Sequence, residues 1–189
     1  CWKKRCSIMK KFFILFFIIF SFTDTRASIK ENIIQNLENI DNLTFEFEQN
    51  IGGKTEKGNC ILEYPKKIYC KYDLGNQKIM VSNGKSLVIK TSSSYYIYPI
   101  DKTPLSQILD KKYLLSKIEN LEFKNINNKF INYKFFENEN EINIFFDRDT
   151  YNLIGWQTVD IYQNLSITYL SSFIKNKQIK KNIFLLPTN

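Results

Sequence analysis

The chain has 189 residues, 43% of them hydrophobic and 15% aromatic, with 27 Lys and Arg against 19 Asp and Glu and no histidine. That length fits one domain able to bury a sizeable core. The lack of histidine excludes Ser-His-Asp and Cys-His catalysis, and the sequence holds no Walker loop and no Gly-rich dinucleotide turn.

The N-terminus reads as a targeting segment. Met9-Lys10-Lys11 opens a short basic region, residues 12–22 are almost continuously apolar, and Thr25-Arg26-Ala27 puts small residues where a signal peptidase reads. Residues 1–27 are therefore expected to be a secretory signal peptide, too short for a comfortable membrane span. Residues 1–8 are either upstream of a start at Met9 or a long basic lead-in; an uncleaved anchor is the competing reading. Removing Lys3, Lys4, Arg5, Lys10, Lys11 and Arg26 from the 27 basic residues and Asp24 from the 19 acidic ones leaves 21 against 18, or +3 in place of +8. With basic and acidic residues interspersed, no argument for nucleic acid survives. Lys175, Lys177, Lys180 and Lys181 make the one dense basic run, read as a solvated strand margin.

Residues 28–189 form one expected domain, opening on a helix. Ser28 is a natural N-cap, Glu31 completes a capping box, and Ile29, Ile33, Ile34, Leu37 and Ile40 make one apolar stripe. Strand patterns follow. Leu43, Phe45 and Phe47 alternate with Thr44, Glu46 and Glu48, and Gly52-Gly53 makes a turn. Residues 78–82 and 86–90 flank the tight-turn pair Asn83-Gly84. Residues 95–98, 130–136, 142–146, 153–159 and 165–170 continue the series, and residues 182–186 predict a last short strand. One helical insert interrupts the sheet. Pro104 suits a helix first turn with Leu105, Ile108 and Leu109 on one side, and Tyr113, Leu114, Leu115 and Ile118 suggest a second short helix. Neither is stable alone, so both must lean on the sheet.

Residues 58–73, GNCILEYPKKIYCKYD, are the most informative stretch. Strand side chains repeat every two residues, so Cys60, Leu62 and Tyr64 share a face with Ile68, Cys70 and Tyr72 across a Pro-Lys-Lys turn. Cys60 and Cys70 are the two cysteines outside the leader. In an exported protein a cross-strand disulfide is favoured over two buried thiols, and two cysteines without histidine do not complete a usual zinc shell. Glu137, Glu139, Glu141, Asp147 and Asp149 fit a hairpin and its flanking turn better than acid–base or calcium chemistry. A large sheet with few helices must curl or leave apolar surface open. Phe47, Leu62, Leu87, Ile89 and Trp156 are then either packed core or the wall of a ligand cavity, and pattern alone leaves both open.

Several of these segments resemble, in order, the LolA family of periplasmic outer-membrane lipoprotein carriers. NLTFEFEQ (residues 42–49) resembles the family's aromatic-x-Phe-x-Gln strand after its first helix. Gly58, the apolar strand, Pro65 and the next apolar strand follow in order, and VSNGKSL (81–87) resembles the family's Val-Ser-Asp-Gly-Lys-x-Leu turn. Residues 104–109 fall where the family has its lid helices, and the chain ends on Phe-Leu-Leu-Pro.

The resemblance implies a mainly β (α+β) fold: an incomplete antiparallel barrel, or strongly curved sheet, around a hydrophobic cavity with a helical lid. It implies a soluble, monomeric, non-enzymatic chaperone in the periplasm of a Gram-negative bacterium, without cofactor or metal. Its partners would be the acyl chains of lipid-modified proteins, an inner-membrane lipoprotein-releasing ABC transporter that loads them and an outer-membrane lipoprotein receptor that takes them. The cavity candidates are Phe45, Phe47, Leu62, Tyr64, Ile68, Tyr72, Leu87, Ile89 and Trp156; the lid candidates are Leu105, Ile108, Leu109, Leu114 and Leu115. A lipid- or glycolipid-binding sensor on the same fold is the alternative, and an enzyme would have only Glu63 or Tyr64 to use. Two residues depart from the family. Tyr64 stands where an Arg often ties sheet to lid, and Cys70 where a large aromatic is common. The receptor of the same pathway is itself a lipoprotein, and no Cys follows the apolar run at a lipidation site, which favours the carrier.

Overall fold

The structure, a computed structural model, describes residues 28–188 apart from 127, 138–139 and 160–162, so the expected signal peptide lies outside the described residues. Helix α1 (Ile29–Glu38) starts as its sequence dictates. The Ser28 hydroxyl accepts from the Glu31 backbone N–H at 3.2 Å, and the Glu31 carboxylate accepts from the Ser28 N–H at 2.7 Å. Ile33 and Leu37 are its buried residues.

Eleven strands make one antiparallel sheet among the described residues. The first six are β1 (Asn42–Ile51), β2 (Lys54–Glu63), β3 (Lys67–Tyr72), β4 (Ile79–Asn83), β5 (Ser86–Lys90) and β6 (Tyr95–Pro99). A 3-10 turn (Ile100–Lys102), α2 (Leu105–Ile108) and α3 (Lys111–Asn120) interrupt them. Then come β7 (Lys124–Ile126), β8 (Phe130–Glu137), β9 (Asn140–Asp147), β10 (Leu153–Val159) and β11 (Leu165–Lys175). The order is β6-β5-β4-β3-β2-β1-β11-β10-β9-β8-β7. The two halves of the chain thus run outward from β1 and β11, and β6 and β7 are the free edges. The sheet curls without closing, and its concave face takes the helices. The Asn83-Gly84 turn forms as its residues predict: Gly84 has φ +93°, and the Asn83 side chain accepts from the N–H groups of Lys85 and Ser86.

Helices α1 and α3 lie antiparallel, since Lys30 near the start of α1 donates to Glu119 O while Lys111 at the start of α3 donates to Glu38 O and Ile40 O. α1 is also tied to the β9–β10 turn, where the Asn36 amide donates to Tyr151 O at 2.7 Å. No helix among the described residues is long and apolar enough to cross a membrane.

The last expected strand is a correction. Residues 182–186 form no strand; residues 181–184 are turn, with Asn182 at φ +68°. The strand before it instead runs five residues further than the pattern suggested, to Lys175. Beyond it the tail reaches the outer face of β5 and β6, where the Tyr95 hydroxyl donates to Pro187 O and Lys90 to Thr188 O. Val81 and Val88, which pair on that outer face, are only 1% and 0% exposed.

Candidate functional site

The concave face of β1 to β6, with β10 and β11 beside it, encloses a cavity of about 310 Å³. That is the low end of the range for small-molecule sites. The alternation of β1 points Phe45 and Phe47 into it, β3 supplies Ile68 and Tyr72, β5 supplies Leu87 and Ile89, and Trp156 comes from β10. Thr103, Pro104 and Leu105 close it from above. Seven of the nine cavity candidates therefore line one space, and Leu105 is the one lid candidate that joins them.

The other candidates sit elsewhere. Leu62 is 3% exposed but lies between Leu43 and Ile68 at the sheet end that the helices cover, so it packs as core. Tyr64 is two residues further toward that end, under Lys111, whose ammonium stands 5.7 Å from its ring centroid. Ile108, Leu109 and Leu114 are fully buried between helices and sheet, and Leu115 is partly buried against the same core. These four hold the lid down and do not face the cavity.

Cys60 and Cys70 are Cα partners and form the cross-strand disulfide expected of them, within the lining. Sequence reasoning passed over the rest of the wall. Met80, Tyr96 and Tyr98 add apolar surface, while Gln49, Thr158, Ser166 and Thr168 add polar groups. Strand alternation gave a signal for Gln49, which shares the parity of Phe45 and Phe47 on β1, and for Thr158, which shares that of Trp156 on β10; β4, β6 and β11 held no recognised inward residue to set the parity of the others.

Gly58 shapes the same wall. A Cβ there would stand 2.2 Å from Lys71 O and 2.9 Å from the Phe47 ring. Its bare backbone lets Phe47 cross to Tyr72, with centroids 5.0 Å apart at 75°, an edge-to-face pair. Burial, aided by the nearby Glu56 carboxylate, pushes the Tyr72 hydroxyl well above the ordinary phenol range, so this part of the wall stays a neutral phenol.

The lid is fastened by backbone and lysines. The Tyr64 hydroxyl makes no hydrogen bond to the lid among the described residues. Next to it, across the cis Tyr64-Pro65 bond, the Lys66 N–H donates to Leu109 O at 2.8 Å. Lys66 Nζ meets Asp101 at 2.8 Å and Asp110 at 3.5 Å, and the hydrogen bond to Asp101 raises its pKa. The Lys66 carbonyl in turn accepts from the Ser82 hydroxyl at 2.7 Å, whose oxygen accepts from the Gly84 N–H. Ser82 of the VSNGKSL turn is 0% exposed and thereby couples the β4–β5 turn to the β2–β3 turn and, through it, to the lid. From the first half of α3, the Tyr113 hydroxyl donates to Glu137 of β8, and Lys117 one turn on lies 3.7 Å from the same carboxylate. Among the described residues there is no group of three or more metal-ligating side chains.

A family model described as outer membrane lipoprotein carrier protein LolA matches residues 38–186. Among solved structures, the chain is similar to a LolA superfamily protein from Nitrosomonas europaea at 6% identity and TM-score 0.45, covering 85% of this chain and 99% of that one. LprF from Mycobacterium bovis aligns at 10% identity and TM-score 0.45 over 82% of this chain and 95% of that one. The lipoprotein LppX from Mycobacterium tuberculosis does so at 13% and 0.43, over 80% and 97%. No curated protein matches the chain.

Proposed function

The chain belongs to the LolA family, and from that premise we propose that it is a periplasmic carrier that shields the acyl chains of lipid-modified proteins between the inner and outer membranes. The single observation that carries this reading is the apolar cavity beneath residues 103–105. Each buried methylene is worth about 0.8 kcal/mol, so one or two acyl chains supply useful affinity without a charged anchor. Transfer then needs no covalent step. Cargo arrives from a releasing ABC transporter and leaves for an outer-membrane receptor because each successive site binds it better. The carrier acts as a monomer, without cofactor.

The test has two arms. Depletion in the source bacterium is expected to mislocalise outer-membrane lipoproteins, and native mass spectrometry of the purified protein to show bound acyl lipid. Leu87→Glu places a charge in the wall and is expected to abolish that lipid while circular dichroism shows a folded protein. Normal sorting on depletion, together with an empty purified protein, rejects the carrier reading. Bound lipid with normal sorting points instead to a lipid- or glycolipid-binding sensor.

A further inference from the structure

Apart from Lys78 and Thr103, the polar groups of the cavity wall lie along one stretch toward the end of the sheet away from the helices. There Gln49 of β1, Ser166 and Thr168 of β11 and Thr158 of β10 stand together, for Gln49 pairs with Thr168 and Thr158 with Ser166. Thr158, Ser166 and Thr168 are 7%, 4% and 3% exposed. Buried hydroxyls on a largely apolar wall cost stability unless something answers them.

The protein answers only part of this demand. The Gln49 amide donates to Ser166 Oγ at 3.0 Å and to Thr168 Oγ1 at 3.1 Å. Both hydroxyls accept in those bonds, which leaves their own hydrogens for another acceptor. Among the described residues, the Gln49 carbonyl and the Thr158 hydroxyl have no hydrogen-bond partner. The strip thus offers hydroxyl donors and one carbonyl acceptor, all neutral.

Charge narrows the choice of ligand. Among the described lining residues Lys78 is the one cation, and it is already matched: Nζ lies 2.6 Å from Glu56 and 4.2 Å from the Tyr72 ring centroid. The two side chains of that ion pair are 17% and 19% exposed. A carboxylate or phosphate entering here would meet no free positive charge and would face Glu56.

We propose that this strip is a hydrogen-bonding subsite for the neutral ester or amide linkages of an acylated group, which makes the cavity prefer neutral diacylglyceryl groups to anionic lipids. It rests on the acyl-binding reading and adds an orientation: linkages at the strip, chains toward Ile68 and Leu87 under the lid. The hydroxyls of Thr158, Ser166 and Thr168 donate to ester carbonyls, and the Gln49 carbonyl accepts from a glycerol hydroxyl or amide N–H.

Native mass spectrometry titrations of the full chain test this with three probes of equal chain length: didecanoylglycerol, its diether analogue and didecanoyl phosphatidate. The diester is expected to bind about tenfold more tightly than either. Thr158→Val with Thr168→Val is expected to remove that preference, bringing diester and diether binding to the same level. The diester–diether comparison needs no variant, so a misfolded double variant does not shield the proposal. Equal binding of all three probes overturns the subsite and leaves the acyl-binding cavity standing. Failure of all three to bind overturns both. A diacylglyceryl-cysteine peptide separates the sources: binding at least as tight as the free diglyceride assigns the subsite to protein-borne lipid, and tight binding of the diglyceride alone assigns it to free lipid.

Discussion

The concave face of one sheet is filled on one side and hollow on the other. Under α1 and α3, strands β8 and β9 are packed solid. Ile131, Tyr133, Ile144 and Phe146 are all 0% exposed, and Tyr133 meets Phe123 and Phe146 with ring centroids 5.9 and 6.0 Å away. Under residues 103–105, strands β1 to β6 leave the cavity open. The two sides share apolar inward alternation, so hydrophobicity does not separate them. A local gap in side-chain volume and the length of the covering helix do. Inward positions on β8 and β9 include Tyr133, Phe135 and Phe146, whereas the middle of the β2–β3 wall is a disulfide and a glycine. The cavity sits where a disulfide and a glycine leave a gap among large wall residues and the helix above is brief. α2 spans four residues against ten in α3.

The largest expected effect breaks the filled side. Phe146→Ala is expected to lose about 3–5 kcal/mol of unfolding free energy in urea, since its neighbours cannot collapse into the hole. Ile89→Ala in the cavity wall, where one side already lacks packing partners, is expected to lose only about 1 kcal/mol. Equal losses at the two positions would erase the distinction between the halves.

Gly58→Ala comes next, at about 3 kcal/mol, because its Cβ would press on the Lys71 carbonyl across the β2–β3 pair and strand backbone cannot yield cheaply. A variant that folds with undiminished stability would show that the strands can part there. Replacing the disulfide sharpens the volume argument. Cys60→Ala with Cys70→Ala is expected to lose about 2–3 kcal/mol, as the closed loop is short. Cys60→Ala with Cys70→Phe is expected to recover part of that stability and to bind less acyl lipid by mass spectrometry, because the hollow side has been filled. Lipid capacity equal to that of the double alanine variant would move the cavity away from Cys70.

How much of this was legible follows from what each signal measures. Periodicity reports facing, and it put Phe45, Phe47, Ile68, Tyr72, Leu87, Ile89 and Trp156 on the inward side, where the cavity lining includes them. It says nothing about position along the strand, so Leu62 and Tyr64 had the same parity yet ended beneath the helices. The polar rim escaped because Gln49 and Thr168 are brought together by the register of β1 with β11, 119 residues apart. No local pattern encodes that pairing. The lid was legible as helix, but its fastening was not: Arg was sought at position 64, while the Lys66 backbone and side chain make the ties. Residues 182–186 looked like a strand by composition, and Asn182 in the left-handed region turned the chain instead.

The smallest expected effect has the opposite sign. The Tyr133 hydroxyl is buried on the filled side with no hydrogen-bond partner among the described residues. Burial, with a smaller contribution from Glu122, pushes its pKa up to about 12. Tyr133→Phe keeps the ring and removes an unsatisfied donor, so it is expected to stabilise the protein by about 1 kcal/mol at neutral pH. In the parent protein the folded state holds this proton more tightly than the unfolded chain, whose phenol titrates near pH 10. Its contribution is therefore fully present below about pH 10 and is lost as pH rises toward about 12. Between those values the advantage of Tyr133→Phe should widen in urea melts. It should not abolish the alkaline loss, since burial also raises Tyr64, Tyr72 and Tyr113. A variant less stable than the parent at neutral pH would mean that the hydroxyl is satisfied, and that the side described as solid holds room for a water.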